Sequence, residues 1–395
     1  MKRPTNIAAW FALLLSLSLC ACSDTASLQT NDHFVSMLGR ETYYEDGMFS
    51  CNNTELDLLR YYSAETGKNI PICTKPNCTH DTASPDCNAI VDSATGIVKT
   101  ENGLFFFNND ESDIALIHSD LNGLNRRKEA VIENGTFYTY IGSSYGGDHA
   151  LYIYYDMQGL DEMEEGVFNY QMSDKYSNYV DYIDLNSGEV KNILYKKDHA
   201  AKLEGALIYD NKLIYSYQYY TEDIRNVEWE EQSAAYREGI YSLDLKTGEE
   251  KKLSEGYDKM SMIQQSFYCF DPKKIICMDY DSFTLYLYNL NTGKFTKIDK
   301  CGTTYQNFAA DGEYVIYMHE LTDNEYCCYN IETGEIVSLP CMPQNTKLEC
   351  IVGDTVWVNR FEEYNEISHV GYDRQGHISK SDFFEGNWDK LSFYE

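Results

Sequence analysis

A short strand ending in Asp or Asn, a two-residue step, Thr or Ser, and then Gly recur along this chain at a regular interval. That recurrence limits the folds open to it. The pattern is clearest at residues 286–297 (YLYNLNTGKFTK), 241–253 (YSLDLKTGEEKKL), 182–194 (YIDLNSGEVKNIL) and 326–339 (YCCYNIETGEIVSL). Weaker copies lie at 60–70 (RYYSAETGKNI), 117–127 (IHSDLNGLNRR) and 370–379 (VGYDRQGHIS). An Asp or Asn at the end of a strand accepts bonds from the backbone ahead of it and starts a turn. The Gly then takes a left-handed conformation that other residues reach only at a cost, so the chain returns antiparallel. The seven turn glycines are Gly67, Gly123, Gly188, Gly248, Gly293, Gly334 and Gly376, at successive gaps of 56, 65, 60, 45, 41 and 42 residues. A period in the forties with longer early members fits propeller blades carrying loop insertions. The expected fold is all-β, a seven-bladed β-propeller of four-stranded antiparallel blades over residues 42–395.

Such a ring uses almost all of the 395 residues, which leaves no room for a second domain. Thirty-five Tyr and seventeen Phe against seven Pro suit stacked sheets. The net charge of −31 repels phosphate backbones, so nucleic acid is excluded as a partner. A ring must also protect its two open sheet edges. The alternation at 388–394 (WDKLSFY) predicts that this segment, or residues 34–38 (FVSML), completes a blade begun at the opposite end of the chain.

The first residues read as a targeting segment. Lys2 and Arg3 precede an apolar run at 7–19 (IAAWFALLLSLSL), too short for a spanning helix of the mature protein. Leu19-Cys20-Ala21-Cys22 resembles the lipobox of bacterial lipoproteins, with small Ala21 before the acceptor Cys22. The resemblance implies lipidation of Cys22, removal of residues 1–21, and a tether over 22–41. Multiple acyl chains give stable membrane attachment. The domain is then held at the cell membrane on its extracytoplasmic face. An ordinary secretory leader is the competing reading.

The expected first blade ends in a Pro-containing loop, CTKPNCTHDTASPDC, with Cys73, Cys78, His80 and Cys87 at the spacing C-x4-C-x-H-x6-C. Three thiolates and an imidazole make a tetrahedral set suited to structural zinc. In an exported chain two of these cysteines can instead form a disulfide, leaving His80 exposed and an odd cysteine in the loop for a partner such as Cys51. The cysteines at 269, 277, 301, 327, 328, 341 and 350 sit mostly in strand-like runs, where a thiol is a small apolar residue.

Two long connections interrupt the third and fourth repeats: an acidic one containing DEMEEG (161–166), and residues 221–237 (TEDIRNVEWEEQSAAYR). Loops on a rigid scaffold are where binding usually resides. Equivalent blade positions would make these two neighbours on one face, with Tyr170, Tyr176, Trp229 and Tyr236 as candidate ligand-binding residues. Catalytic motifs are weak. Residues 142–146 (GSSYG) match a nucleophile elbow around Ser144, but a strand follows where a helix is needed, so the segment reads as a turn between blades. Asp279 and Asp281 read as turn formers. No catalytic residue is assigned.

Together, the lipobox, the repeated turns and the cysteine loop resemble the β-propeller lipoproteins of anaerobic Gram-positive bacteria, grouped with TolB-like and DUF5050-type propeller domains. That resemblance implies a membrane-anchored, non-catalytic binding or scaffolding module for a protein or glycan at the cell envelope. The other reading is a propeller enzyme acting on polysaccharide, lyase or glycosidase-like.

Overall fold

The computed structural model describes residues 41–53, 57–81, 86–91, 94–100, 102–109, 114–132, 149–157, 175–224, 227–263, 273–301, 308–318, 326–365 and 370–394. These form six antiparallel sheets. The first contains β1–β4 (Glu41–Tyr43, Gly47–Asn53, Asp57–Ser63, Asn69–Pro71) and the second β5–β8 (Ala94–Thr100, Gly103–Asn109, Ile114–Ser119, Arg127–Ile132). The third has six strands, β9–β14 (His149–Met157, Lys175–Asp184, Val190–Tyr209, Lys212–Tyr220, Tyr236–Asp244, Glu250–Lys252). The fourth, β15–β18, comprises Met260–Met262, Lys274–Asp279, Thr284–Asn289 and Lys294–Lys300. The fifth, β19–β22, comprises Phe308–Ala310, Tyr314–Met318, Tyr326–Asn330 and Ile336–Ser338. The last, β23–β26, comprises Thr346–Val352, Thr355–Asn365, Val370–Ser379 and Ser392–Phe393.

Among the described residues the propeller therefore has six blades, where seven were expected. The difference lies in β11. Its twenty residues pair with β10 through Val190–His199 and with β12 through His199–Tyr209, so the third and fourth repeats share one continuous strand. The junction bends at register shifts between His199 and Lys202 and between Leu203 and Gly205, and Ala200 there has φ 41°. A recurring link shows that two repeats are joined. Tyr217 of β12 donates to Asp198 at 2.8 Å, and Tyr317 of β20 makes the same 2.8 Å bond to Asp299 of β18 in the preceding blade.

Six of the seven turn glycines sit in real hairpins, with φ between 64° and 76°. The side chain of Asp244 accepts from the N–H groups of Lys246 and Thr247 at 2.9 Å, while Gly248 N–H closes on the Asp244 carbonyl at 2.8 Å. Asp184, Asn289 and Asn330 repeat this geometry. Gly376 is the exception, since it lies within β25 and pairs with Phe393. A Cβ there would meet the Phe393 ring at 2.8 Å and the Ser392 carbonyl at 2.9 Å, so this glycine serves close strand approach instead of a turn.

The six larger clusters of buried apolar side chains each bridge two neighbouring sheets. Phe49 and Leu59 meet Leu104 and Phe106, and Phe105 and Leu116 meet Ile183 and Leu185. Tyr215 and Tyr217 lie in one cluster with Met262 and Cys277, and Ile276 and Leu285 lie with Val315 and Tyr317. Ile316 and Tyr326 join Val356 and Val358. Tyr43 and Met48 join Cys350, Trp357 and Tyr394, which brings the last sheet back to the first and closes the ring.

Among the described residues, side chains and not a shared strand join the first sheet to the last. β26 pairs with β25 of its own sheet, so residues 388–394 do not complete the opposite blade, which was one of the two expected ways of closing the ring. The reason is local: Ser379 caps helix α2 (Lys380–Glu385), whose C-terminal Gly386 adopts φ 74° and turns the chain back along the same sheet. Earlier in the chain, helix α1 (Trp229–Ala235) occupies the insertion between β12 and β13. The alternative closing segment, residues 34–38, lies outside the described residues, as do Cys22, Tyr170, the 142–146 segment and the DEMEEG stretch.

Candidate metal centre

The loop after β4 is built by turns that face its sulfur atoms inward. Cys73 N–H donates to the Pro71 carbonyl at 2.7 Å, and Asn77 and His80 adopt left-handed φ values of 61° and 55°. Lys75 clamps the far side of the loop through the carbonyl and the carboxylate of Asp86. The return segment then runs beside β3: Leu59 N–H donates to Ala89 O at 2.8 Å and Val91 N–H to Asp57 O at 2.9 Å. Beneath the loop, Leu58, Cys87 and Ala89 are buried, with Cys73, Cys78 and Ile90 packed against them. The loop is therefore tied down by backbone bonds and a small apolar cluster as well as by its four donors.

These donors converge. One ligand atom each from Cys73, Cys78, His80 and Cys87 lies within 4.8 Å of all the others, and His80 Nδ1 is 3.2 Å from Cys87 Sγ. Burial raises the Cys73 pKa, but backbone N–H groups of Lys75 and Asn88 and the neighbouring thiols outweigh it, so the net direction is downward. Burial pushes the Cys87 thiol up to about 11, which keeps it protonated until a cation arrives. A set of three sulfurs and one ring nitrogen suits a soft or borderline metal and disfavours the oxygen-seeking ions. Four protein donors fill a tetrahedron and leave no position for substrate, so a metal held here would stabilise the loop. No disulfide forms among the ten described cysteines, and Cys51 is fully buried in the core between the first two sheets.

Of the remaining candidate residues, Tyr176 and Tyr236 lie near strand starts in the six-stranded sheet. Tyr176 is paired with Met157, its neighbour Lys175 with His199, His199 with Tyr220, and Tyr220 with Tyr236. The roots of the β9–β10 and β12–β13 connections thus meet β11 at His199, one from each half of that strand, with Tyr176 and Tyr236 separated by β11 and β12. Tyr236 is half-buried, and its hydroxyl bonds Gln218 at 2.8 Å and Glu238 at 3.0 Å. Trp229 is the first residue of α1. Asp279 and Asp281 form a turn in which Asp279 Oδ1 accepts from the Asp281 N–H at 3.2 Å.

Sequence reasoning missed a basic cleft beside the cysteine loop, lined in part by Asn88, Asn108 and the sequence Arg126-Arg127-Lys128. The signal was present, because this is the only run of three consecutive basic residues in a strongly acidic chain.

No protein-family model and no curated protein matches the chain. Among solved structures it is similar to oligogalacturonate lyase from Vibrio parahaemolyticus, with a TM-score of 0.50 and 11% identity, covering 91% of this chain and 96% of that one. It is also similar to TolB from Acinetobacter baumannii (TM-score 0.39, 12% identity, 86% of this chain and 71% of that one). A third match is a puromycin hydrolase variant (TM-score 0.49, 12% identity, 91% of this chain and 53% of that one). At these identities the likeness bears on architecture alone.

Proposed function

We propose that this chain is a lipid-anchored extracytoplasmic propeller that binds a protein or glycan at the cell envelope, with zinc as a structural element of its cysteine loop. The convergence of Cys73, Cys78, His80 and Cys87 carries the metal part of the reading. Four filled coordination positions make the ion a staple and not a Lewis acid. Anchoring rests on the Lys2-Arg3 start, the apolar run and the acceptor Cys22. Binding is assigned to the two insertions, to which Tyr170, Tyr176, Trp229 and Tyr236 belong or lie adjacent in sequence.

Three measurements test this reading. Metabolic labelling with a fatty acid will mark the wild-type chain and not Cys22→Ala; equal labelling of both removes the anchor. Metal analysis of the purified full chain will find about one zinc per molecule, the stoichiometry of a single four-ligand site, and Cys78→Ser will lower it. Zinc content unaffected by that substitution removes the metal centre. An array of glycans and envelope proteins will show saturable binding weakened by Trp229→Ala with Tyr170→Ala. Turnover of a polysaccharide on the same array would instead support a lyase or glycosidase-like enzyme.

A further inference from the structure

We propose that Cys73 and Cys78 form a reversible oxidation site, at which a peroxide joins the two sulfurs in a disulfide and expels the zinc. This rests on the zinc reading above and adds what undoes it. Zinc-held and disulfide-held are then two states of one loop.

Three observations carry the assignment. The first is contact between the sulfurs. The four ligand atoms lie within 4.8 Å of one another, and the thiols of Cys78 and Cys87 both hydrogen-bond with Cys73. The second is access. Cys73 and Cys78 are half-buried, whereas Cys87 is only 6% exposed and sits in the apolar cluster with Leu58 and Ala89. Reactive cysteines are partly exposed ones, so an oxidant arriving from solvent meets Cys73 and Cys78 before Cys87.

The third observation is that both ends of the loop are held without the ion. Ile72 N–H donates to Leu59 O at 2.9 Å, and Leu59 N–H in turn donates to Ala89 O at 2.8 Å. The Arg126 guanidinium donates to the carbonyls of Asn88 and Ile90. Losing the metal therefore leaves residues 72 and 87–91 in place and confines the change to the segment between them. That makes the exchange reversible.

In the zinc-bound loop the cysteines are thiolates. With Cys78 leading, its sulfur attacks one peroxide oxygen, the O–O bond breaks, hydroxide leaves, and a sulfenic acid remains. Cys73 Sγ then attacks that sulfur; the S–S bond forms, the S–O bond breaks, and a second hydroxide leaves. The two sulfurs give up two electrons and the peroxide takes them. Both hydroxides take protons from solvent, and the zinc ion keeps its oxidation state. Cys87 and His80 remain, two donors where a structural site uses four, so the ion departs.

The test uses the full chain, purified with zinc under nitrogen and then treated with hydrogen peroxide in the presence of a colorimetric zinc indicator. Alkylation and peptide mass spectrometry map the thiols. Peroxide will release about one zinc per chain, the content of a single four-ligand site. The product will carry a Cys73–Cys78 bridge with Cys87 still a thiol, and a phosphine reductant with added zinc will restore the metal. Cys341→Ser, which removes an exposed cysteine outside the loop, will release zinc to the same extent. A chain without zinc before treatment overturns the zinc reading and this proposal with it. A chain that binds zinc and keeps it through peroxide treatment overturns the oxidation site alone. So does a bridge that includes Cys87, a release that the phosphine does not reverse, or a release lost in Cys341→Ser.

Discussion

Asn330 illustrates what a single side chain does in this molecule. Its Oδ1 accepts from the N–H groups of Glu332 and Thr333 at 2.9 and 2.8 Å, and Thr333 Oγ1 then accepts from Glu335. Asn330→Ala will lower stability by about 1 kcal/mol, the usual loss when a backbone-capping side chain is removed, read as a shifted denaturant midpoint with unchanged slope. Lys196 is more deeply committed. Its ammonium lies 2.6 Å from Glu250 and within 5.8 Å of the ring centres of Tyr215, Tyr217 and Tyr241. Lys196→Met will cost roughly 1–3 kcal/mol by leaving Glu250 and the phenols without their cation. The hairpin chemistry was legible in the sequence because it is local: donor, acceptor and glycine all lie within five residues. Gly376 was misread for the same reason. Asp373-Arg374-Gln375-Gly376 has the outline of a turn, but the constraint on this glycine comes from Phe393, which no local pattern connects to it.

At the scale of elements, β11 decides how the repeats divide. The glycine turns of the two repeats it joins, at Gly188 and Gly248, were both visible in the sequence. Its continuity was not, because YKKDHAAKL carries no alternation that marks a strand. The chain crosses this junction with Ala200 in a left-handed conformation that a β-branched residue resists. Ala200→Val will destabilise by about 1–2 kcal/mol, whereas Ala200→Gly will be near neutral. Chemical denaturation of the two variants separates these outcomes. The cysteine loop was half legible. Its four ligand types and spacing were plain, but its attachment to β3 through Leu59 and Asp57 depends on a register that only the folded sheet fixes. The basic cleft was missed because its polar groups come from positions 88, 108 and 126–128, on three separate segments that only the fold brings together.

Across the whole molecule, the seam between the last sheet and the first is where pH acts. His377 stacks on Tyr394 and packs at a tilt against Trp357, with ring centres 5.3 and 5.8 Å away. Burial lowers its pKa below the ordinary 6.5, a shift that the Ala64 carbonyl only partly opposes. The unfolded chain therefore takes up a proton before the folded one does. The contribution of His377 is fully present above about pH 6.5 and is lost as the pH falls from there toward the lowered value. The thermal midpoint will drop between about pH 7 and pH 5, and His377→Phe, which keeps the stacking, will flatten that slope. An equal slope in both proteins would exclude the histidine as the cause.

The same seam has a mechanical consequence. Trp357 Nε1 reaches the Tyr44 carbonyl at 3.2 Å, Thr355 Oγ1 reaches that of Glu45 at the same distance, and Tyr62 meets Tyr394 ring to ring. Among the described residues no ladder of main-chain bonds crosses from the first sheet to the last. Under tension the disc will part at this aromatic clasp first, while each blade on either side stays knitted, so opening and unfolding are separate events in this ring.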